Sequence, residues 1–174
     1  MKKTKSGFTL IEILIVVAII AILASVVLVG LGPVQQSGRD ARRLSDIRQV
    51  QNALELFYNK CGYYPGTISG GACSTNAPAS WANLGATLSG GGLGVSSIPS
   101  DPSSNRTYGY AYNAGNTAYV LGTALENANN SVFNGYTAPN TTGYTWVTDA
   151  TTVKPDSGCG AALPAGSATF CVSL

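Results

Sequence analysis

Residues Met1–Glu12 read MKKTKSGFTLIE, and the nineteen residues from Ile13 to Leu31 carry no charge. This stretch decides the fold, because it sets a membrane-length apolar helix at the head of the chain. A short basic leader ends in Gly7, Phe8 follows, and Glu12 stands where the apolar run begins. A carboxylate costs roughly 2.5–3.5 kcal/mol near the centre of an inserted helix and less towards its end. It persists there only with a partner.

Three readings of the segment stand side by side. A cleaved secretory leader has an apolar region of about 7–15 residues and a small-residue site after it; here the run is longer and Ile22-Leu23-Ala24 is a poor site. A plain membrane anchor satisfies the length rule of about 20 residues but leaves Gly7-Phe8 and Glu12 without a reason. A core helix needs more apolar chain around it than the rest of the sequence supplies. On these residues alone, anchor and cleaved leader both remain open.

Lys2-Lys3-Thr4-Lys5-Ser6-Gly7-Phe8-Thr9-Leu10-Ile11-Glu12 resembles the class III leader and mature start of type IV pilins and type II secretion pseudopilins. With the helix that follows, the resemblance covers about the first third of the chain; the remainder is only loosely similar. It implies cleavage between Gly7 and Phe8 by a prepilin peptidase on the cytoplasmic side, then methylation of the new Phe8 amine. It also implies that Glu12 pairs with the Phe8 amine of an adjacent subunit as apolar helices gather into a filament, a pair within one chain being the alternative. This chain is then a substrate of processing and not an enzyme.

The resemblance implies a structural subunit: a homo-polymer at the cell surface or in the periplasm, reached from a single-pass precursor in the inner membrane. Its partners are the peptidase/methyltransferase and a pilus or secretion assembly machinery. The alternatives are a type II secretion pseudopilin, or a minor pilin for DNA uptake or adhesion. For nucleic acid the sequence offers only the cluster Arg39, Arg42, Arg43 and Arg48, interleaved with Asp40 and Asp46. That cluster reads as a solvated helix face, or as a surface for neighbouring subunits.

Composition agrees with an exported, self-associating protein. Only 10% of the 174 residues are charged, against about 25% in typical soluble domains. Lys2, Lys3 and Lys5 precede Gly7, so loss of the leader leaves seven basic against eight acidic side chains. Those three lysines match the positive-inside rule. The chain has no His, which removes Ser-His-Asp and Cys-His catalysis and the common His-based metal sites. No cofactor and no metal site is expected. Asp101, Asp149 and Asp156 are scattered for a calcium site, which takes about 6–8 oxygen ligands. Asn105, Asn129 and Asn140 each open an Asn-x-Ser/Thr triplet, a pattern common by chance in a chain rich in Asn and Thr.

The four cysteines are Cys61, Cys73, Cys159 and Cys171. An even count outside the cytoplasm points to disulfides, with three pairings open. Cys61–Cys73 and Cys159–Cys171 are preferred, because each closes a short loop rich in Gly, Ala and Ser. Each is worth about 3 kcal/mol in the loop-entropy model.

The expected fold is α+β: a long N-terminal helix, membrane-spanning in its first half and amphipathic in its second, packed on a small antiparallel sheet. The expected divisions are a leader (1–7), a transmembrane and polymerisation helix (8–33), an amphipathic head helix (34–62), a Gly/Ser-rich loop region (63–105) and a sheet head (106–174). Gly30, Gly32 and Pro33 are expected to interrupt the helix. Leu44, Ile47, Val50, Leu54 and Phe57 mark its buried face, bordered by Tyr58, and Gly62 and Pro65 its end. The loop region is long for a structureless segment, which predicts either a short helix near Trp81–Leu88 or real mobility. Tyr108, Tyr110 and Tyr112, a turn at Asn113–Asn116, then Tyr119, Leu121, Thr123 and Leu125 predict a hairpin. Further strands are predicted at Tyr144–Val147 and around Phe170 and Val172. The tyrosine rows read as packing.

Overall fold

A computed structural model describes residues 7–67, 73, 77–147, 159, 162–163 and 167–174, with the backbone alone at 27–31, 162–163 and 167. Helix α1 runs from Leu10 to Cys61, and the chain divides into two compact units, Met1–Gln36 and Ser37–Leu174.

In the first unit the helix keeps nearly every large side chain in the open, Phe8 at 85% exposure and Val26 at 71%. The sequence expectation of an interruption at Gly30, Gly32 and Pro33 is corrected: the helix passes through, with Pro33 inside it. A proline forfeits one backbone bond and crowds the preceding turn, while each neighbouring turn still adds its own bonds. Among the described residues no helix is long and apolar enough to cross a membrane. The apolar stretch with described side chains, Leu10–Val26, rises about 25 Å at 1.5 Å per residue; the sequence continues uncharged to Leu31.

The second unit packs the later turns of α1 against a sheet. Ile47, Val50, Ala53, Leu54 and Phe57 are buried at helical spacing, in one core with Tyr108, Tyr110, Tyr112, Tyr119 and Leu121. The helix stops where Gly62, at φ +79°, donates its N–H to the Tyr58 carbonyl at 2.7 Å. A left-handed residue at this place suits glycine, which has no Cβ to clash. Tyr58 borders the core, its ring 4.7 Å from that of Tyr64.

The loop region contains α2, Trp81–Gly90, capped at its start by the Ser80 hydroxyl accepting from the Asn83 N–H at 3.1 Å. Trp81, Leu84 and Leu88 point inward from it, and the Trp81 indole donates to the Pro99 carbonyl at 2.9 Å. Lys60 donates to the carbonyl of Gly91, which follows the last turn of α2. Ile68 lies outside the described residues.

Five strands form one sheet: β1 Gly109–Asn113, β2 Tyr119–Leu125, β3 Tyr144–Val147, β4 Ala162–Leu163 and β5 Ser167–Ser173. Their order is β3-β1-β2-β5-β4, with antiparallel neighbours throughout. The β1–β2 turn is held by the Asn113 side-chain oxygen, which accepts from the N–H groups of Thr117 and Ala118 at 2.8 and 3.2 Å. Tyr110 and Leu121 lie opposite one another on the helix face. All seven residues of β2 are buried, so the alternation in its sequence does not mark a solvated side. Ala111, Val120 and Cys171 form a second small core with Tyr144, Trp146 and Cys159 on the far face. The two disulfides join Cys61 to Cys73 and Cys159 to Cys171. The Tyr63 hydroxyl donates to the Cys73 carbonyl.

Candidate assembly and processing site

The N-terminal site is built from the first turn of α1 and the residues ahead of it. Gly7 is exposed, with nothing within 4 Å of where a Cβ would stand. Phe8 beside it is exposed as well. Met1–Ser6 lie outside the described residues.

Thr9 and Glu12 close the helix start on each other. The Glu12 carboxylate accepts from the Thr9 N–H at 2.7 Å and from its hydroxyl at 2.6 Å. The Thr9 hydroxyl accepts in turn from the Glu12 N–H at 3.4 Å. This is a reciprocal capping box, which satisfies orphan donors at both positions and sets a negative charge against the positive end of the helix dipole. Glu12 therefore has a partner within its own chain, through Thr9. The pattern Thr-x-x-Glu ahead of an apolar run is the sequence signal for this arrangement; weighing the cost of the charge alone does not find it.

The second charged site lies in the other unit, and it corrects the reading of Arg39–Arg48 as a solvated face or subunit surface. Arg43 and Asp40 are fully buried and Asp46 nearly so. Arg43 Nε and Nη2 grip the two oxygens of Asp101 at 2.8 and 2.9 Å. Its Nη1 donates to Asp40 at 2.9 Å and Glu126 at 2.8 Å, and Nη2 also donates to the Ser103 hydroxyl at 2.9 Å. All five donors that a guanidinium carries are used. Asp40 accepts from the N–H groups of Glu126 and Asn127 at 2.9 and 3.0 Å, and Arg39 forks onto Glu126 at 2.8 and 2.5 Å.

Electrostatics follow from this geometry. The Arg39 bond holds the Glu126 carboxyl down at about 2 against the opposing effect of burial, with Arg43 adding to the fall. Burial alone would lower the Arg43 pKa, but the bonds to Asp101, Glu126 and Asp40 outweigh it and raise the value. Nearby, Asp46 accepts from the Tyr108 hydroxyl at 2.6 Å. Arg42 stays exposed, 3.9 Å from Asp46, and Arg48 is exposed too. The inward turn of Arg39 and Arg43 leaves no concentrated basic patch here for nucleic acid.

Apolar periodicity placed Leu44 in the buried face; Leu44 is half-buried and Arg43 takes the interior place. Asp101 has both oxygens occupied by Arg43, and Asp149 and Asp156 lie outside the described residues. Among the described residues no group of three His, Cys, Asp or Glu side chains could hold a metal ion. Gly7, Phe8 and Glu12 belong to the first unit and the four cysteines to the second.

Comparison with known proteins adds to the geometry. Residues 2–28 match the prokaryotic N-terminal methylation motif. The chain is similar to type II secretion system core protein G of Aeromonas hydrophila, 35% identical over 77 residues that cover 44% of this chain and 54% of the relative. It is similar also to the proteins of that name from Escherichia coli K12 and Vibrio cholerae. The former is 36% identical over 72 residues, covering 41% of this chain and 50% of the relative. The latter is 36% identical over 72 residues, covering 40% and 49%. The chain thus spans about half the length of the curated relatives it matches. No solved structure matches it.

Proposed function

We propose, from the premise that this chain belongs to the type IV pilin and pseudopilin family, that it is a structural subunit of a pilus-like filament. The observation that carries the proposal is the apolar surface of α1, open along Leu10–Val26 with Phe8 exposed ahead of it, all within the methylation motif. An apolar helix left uncovered by its own fold needs either lipid or other helices around it. Lipid serves the precursor in the inner membrane, which the uncharged run Ile13–Leu31 is long enough to span. Copies of the same helix serve the filament.

In this reading a prepilin peptidase cuts between Gly7 and Phe8, and a methyltransferase modifies the Phe8 amine. Glu12 then exchanges part of its bonding to Thr9 for the amine of a neighbouring Phe8, and an assembly machinery stacks the subunits. The role is mechanical, with no reaction catalysed by the chain itself. Similarity to three secretion core proteins favours a secretion-system filament over a surface pilus.

The test is the sheared filament fraction of Glu12→Ala beside wild type, with leader removal read by mass spectrometry. The expected outcome is normal cleavage before Phe8 and membrane insertion, with filaments strongly reduced. Normal filament yield would remove Glu12 from assembly. An intact Met1 on assembled subunits would remove the processing scheme altogether. Loss of protein export in a strain lacking the chain supports the secretion reading, and loss of surface fibres alone supports a pilus.

A further inference from the structure

Three Asn-x-Ser/Thr triplets lie on the described surface, and their surroundings differ. We propose that Asn140, and neither Asn105 nor Asn129, is an N-glycosylation site whose side-chain nitrogen takes a sugar from an activated glycosyl phosphate donor.

Asn140 is exposed, and its side-chain oxygen accepts the N–H of Thr142 at 3.0 Å. This Asx turn fixes which end of the amide faces the backbone. With the oxygen held by this bond, Nδ2 of this exposed side chain has no hydrogen-bond partner among the described residues. A reverse turn follows directly, with the Tyr144 N–H donating to the Thr141 carbonyl at 3.2 Å and Gly143 at φ +83°. Thr142, the hydroxyl residue of the triplet, is exposed on that turn. The acceptor nitrogen and the hydroxyl that a transferase must read together are thus presented on one protruding bend ahead of β3.

The other two triplets are tied down. Arg106, the middle residue of Asn105-Arg106-Thr107, donates its N–H to the Ser103 carbonyl at 3.1 Å and its Nη1 to the Ala124 carbonyl at 2.7 Å. That fastens the triplet to β2. In Asn129-Asn130-Ser131 the Asn130 side chain accepts from the Val132 N–H at 3.1 Å, and Ser131 opens a 3-10 turn that runs to Phe133. Neither triplet pairs its own asparagine oxygen with the amide two residues on.

The step conserves charge and needs no oxidant. Nδ2 bonds to the anomeric carbon of the donor, whose bond to the phosphate oxygen breaks. The phosphate leaves with that electron pair, and one amide proton passes to a base of the transferase. The product adds a bulky hydrophilic group to an exposed bend.

The experiment is peptide mapping by mass spectrometry on the full chain isolated from its own cells. A glycan mass is expected on the peptide holding Asn140, absent in Asn140→Gln and Thr142→Ala and kept in Thr142→Ser. An unmodified Asn140 in the wild-type protein overturns the proposal, and so does a glycan on Asn105 or Asn129 in its place. The same spectra report whether Phe8 is the first residue, so the filament reading and this one fail separately.

Discussion

Replacing Arg43 by methionine keeps an unbranched stem and removes the guanidinium with all five of its hydrogen bonds. The cost is read from what each partner keeps. Glu126 retains the fork from Arg39, and Asp40 retains two backbone N–H groups. Asp101 retains only the Ser103 N–H, at 2.8 Å, while its side chain is 1% exposed. Asp40 and Asp101 both lose their only ion pair among the described residues. Asp101 keeps the fewer hydrogen bonds, so the main loss is the break of a buried charge pair there, which costs about 3–5 kcal/mol. Against a domain stability of about 5–15 kcal/mol that is a large fraction. Urea unfolding of the full chain in mild detergent, followed by tryptophan fluorescence, should show the midpoint falling with the slope unchanged. Adding Asp101→Asn to Arg43→Met should restore part of the loss, because the orphaned charge is then gone. A shift worth less than about 1 kcal/mol in the single variant, or no recovery in the double, would refute the reasoning.

Acid should act through Glu126. Its folded pKa, about 2, lies below its ordinary value of 4.5, so its contribution is complete above about pH 4.5 and is lost as pH falls towards 2. At about 1.4 kcal/mol per unit the ceiling is ~3 kcal/mol; stability measured against pH should slope in that window and flatten there in Glu126→Gln. Gly66→Ala should cost about 1–3 kcal/mol by overpacking, since its Cβ would stand 2.4 Å from the Asn116 Nδ2; a Tm within a degree of wild type would contradict the packing. The Tyr136 hydroxyl accepts from the Cys171 N–H at 2.9 Å and donates to its carbonyl at 3.1 Å. Tyr136→Phe should accordingly speed hydrogen exchange at the Cys171 amide by about tenfold, for a bond worth ~1.4 kcal/mol.

The elements with strong local signals were legible in the residues. The apolar run, the Gly62 stop and the tyrosine hairpin each carry their period or punctuation within a dozen residues, while loop length alone left a helix or mobility open at Trp81–Leu88, where the helix stands. β4 was not legible, because Ala162-Leu163 is two residues long and owes its existence to β5 beside it. The burial of both faces of β2 likewise depends on chain that arrives from residues 144–171. Arg43 was hidden for a related reason: a guanidinium enters a core only where carboxylates from distant segments meet it, and periodicity counts apolar side chains alone. The partner role of Thr9 is local too, since Thr-x-x-Glu is a capping pattern that satisfies backbone donors at the helix start.

The reach of Arg43 also governs the order in which this head can fold. Its partners stand 58, 60 and 83 positions further along the chain, at Asp101, Ser103 and Glu126. The hairpin and both helices can form from contacts nearer in sequence, while closing such long loops defers the reward of these contacts. The guanidinium and its carboxylates are therefore expected to stay hydrated until the loop after α2 and the end of β2 have both arrived. On that order Arg43 is expected to act as a latch, its loss raising the unfolding rate more than it lowers the folding rate. The head is thereby held closed by a bond set drawn from three separate segments of the chain.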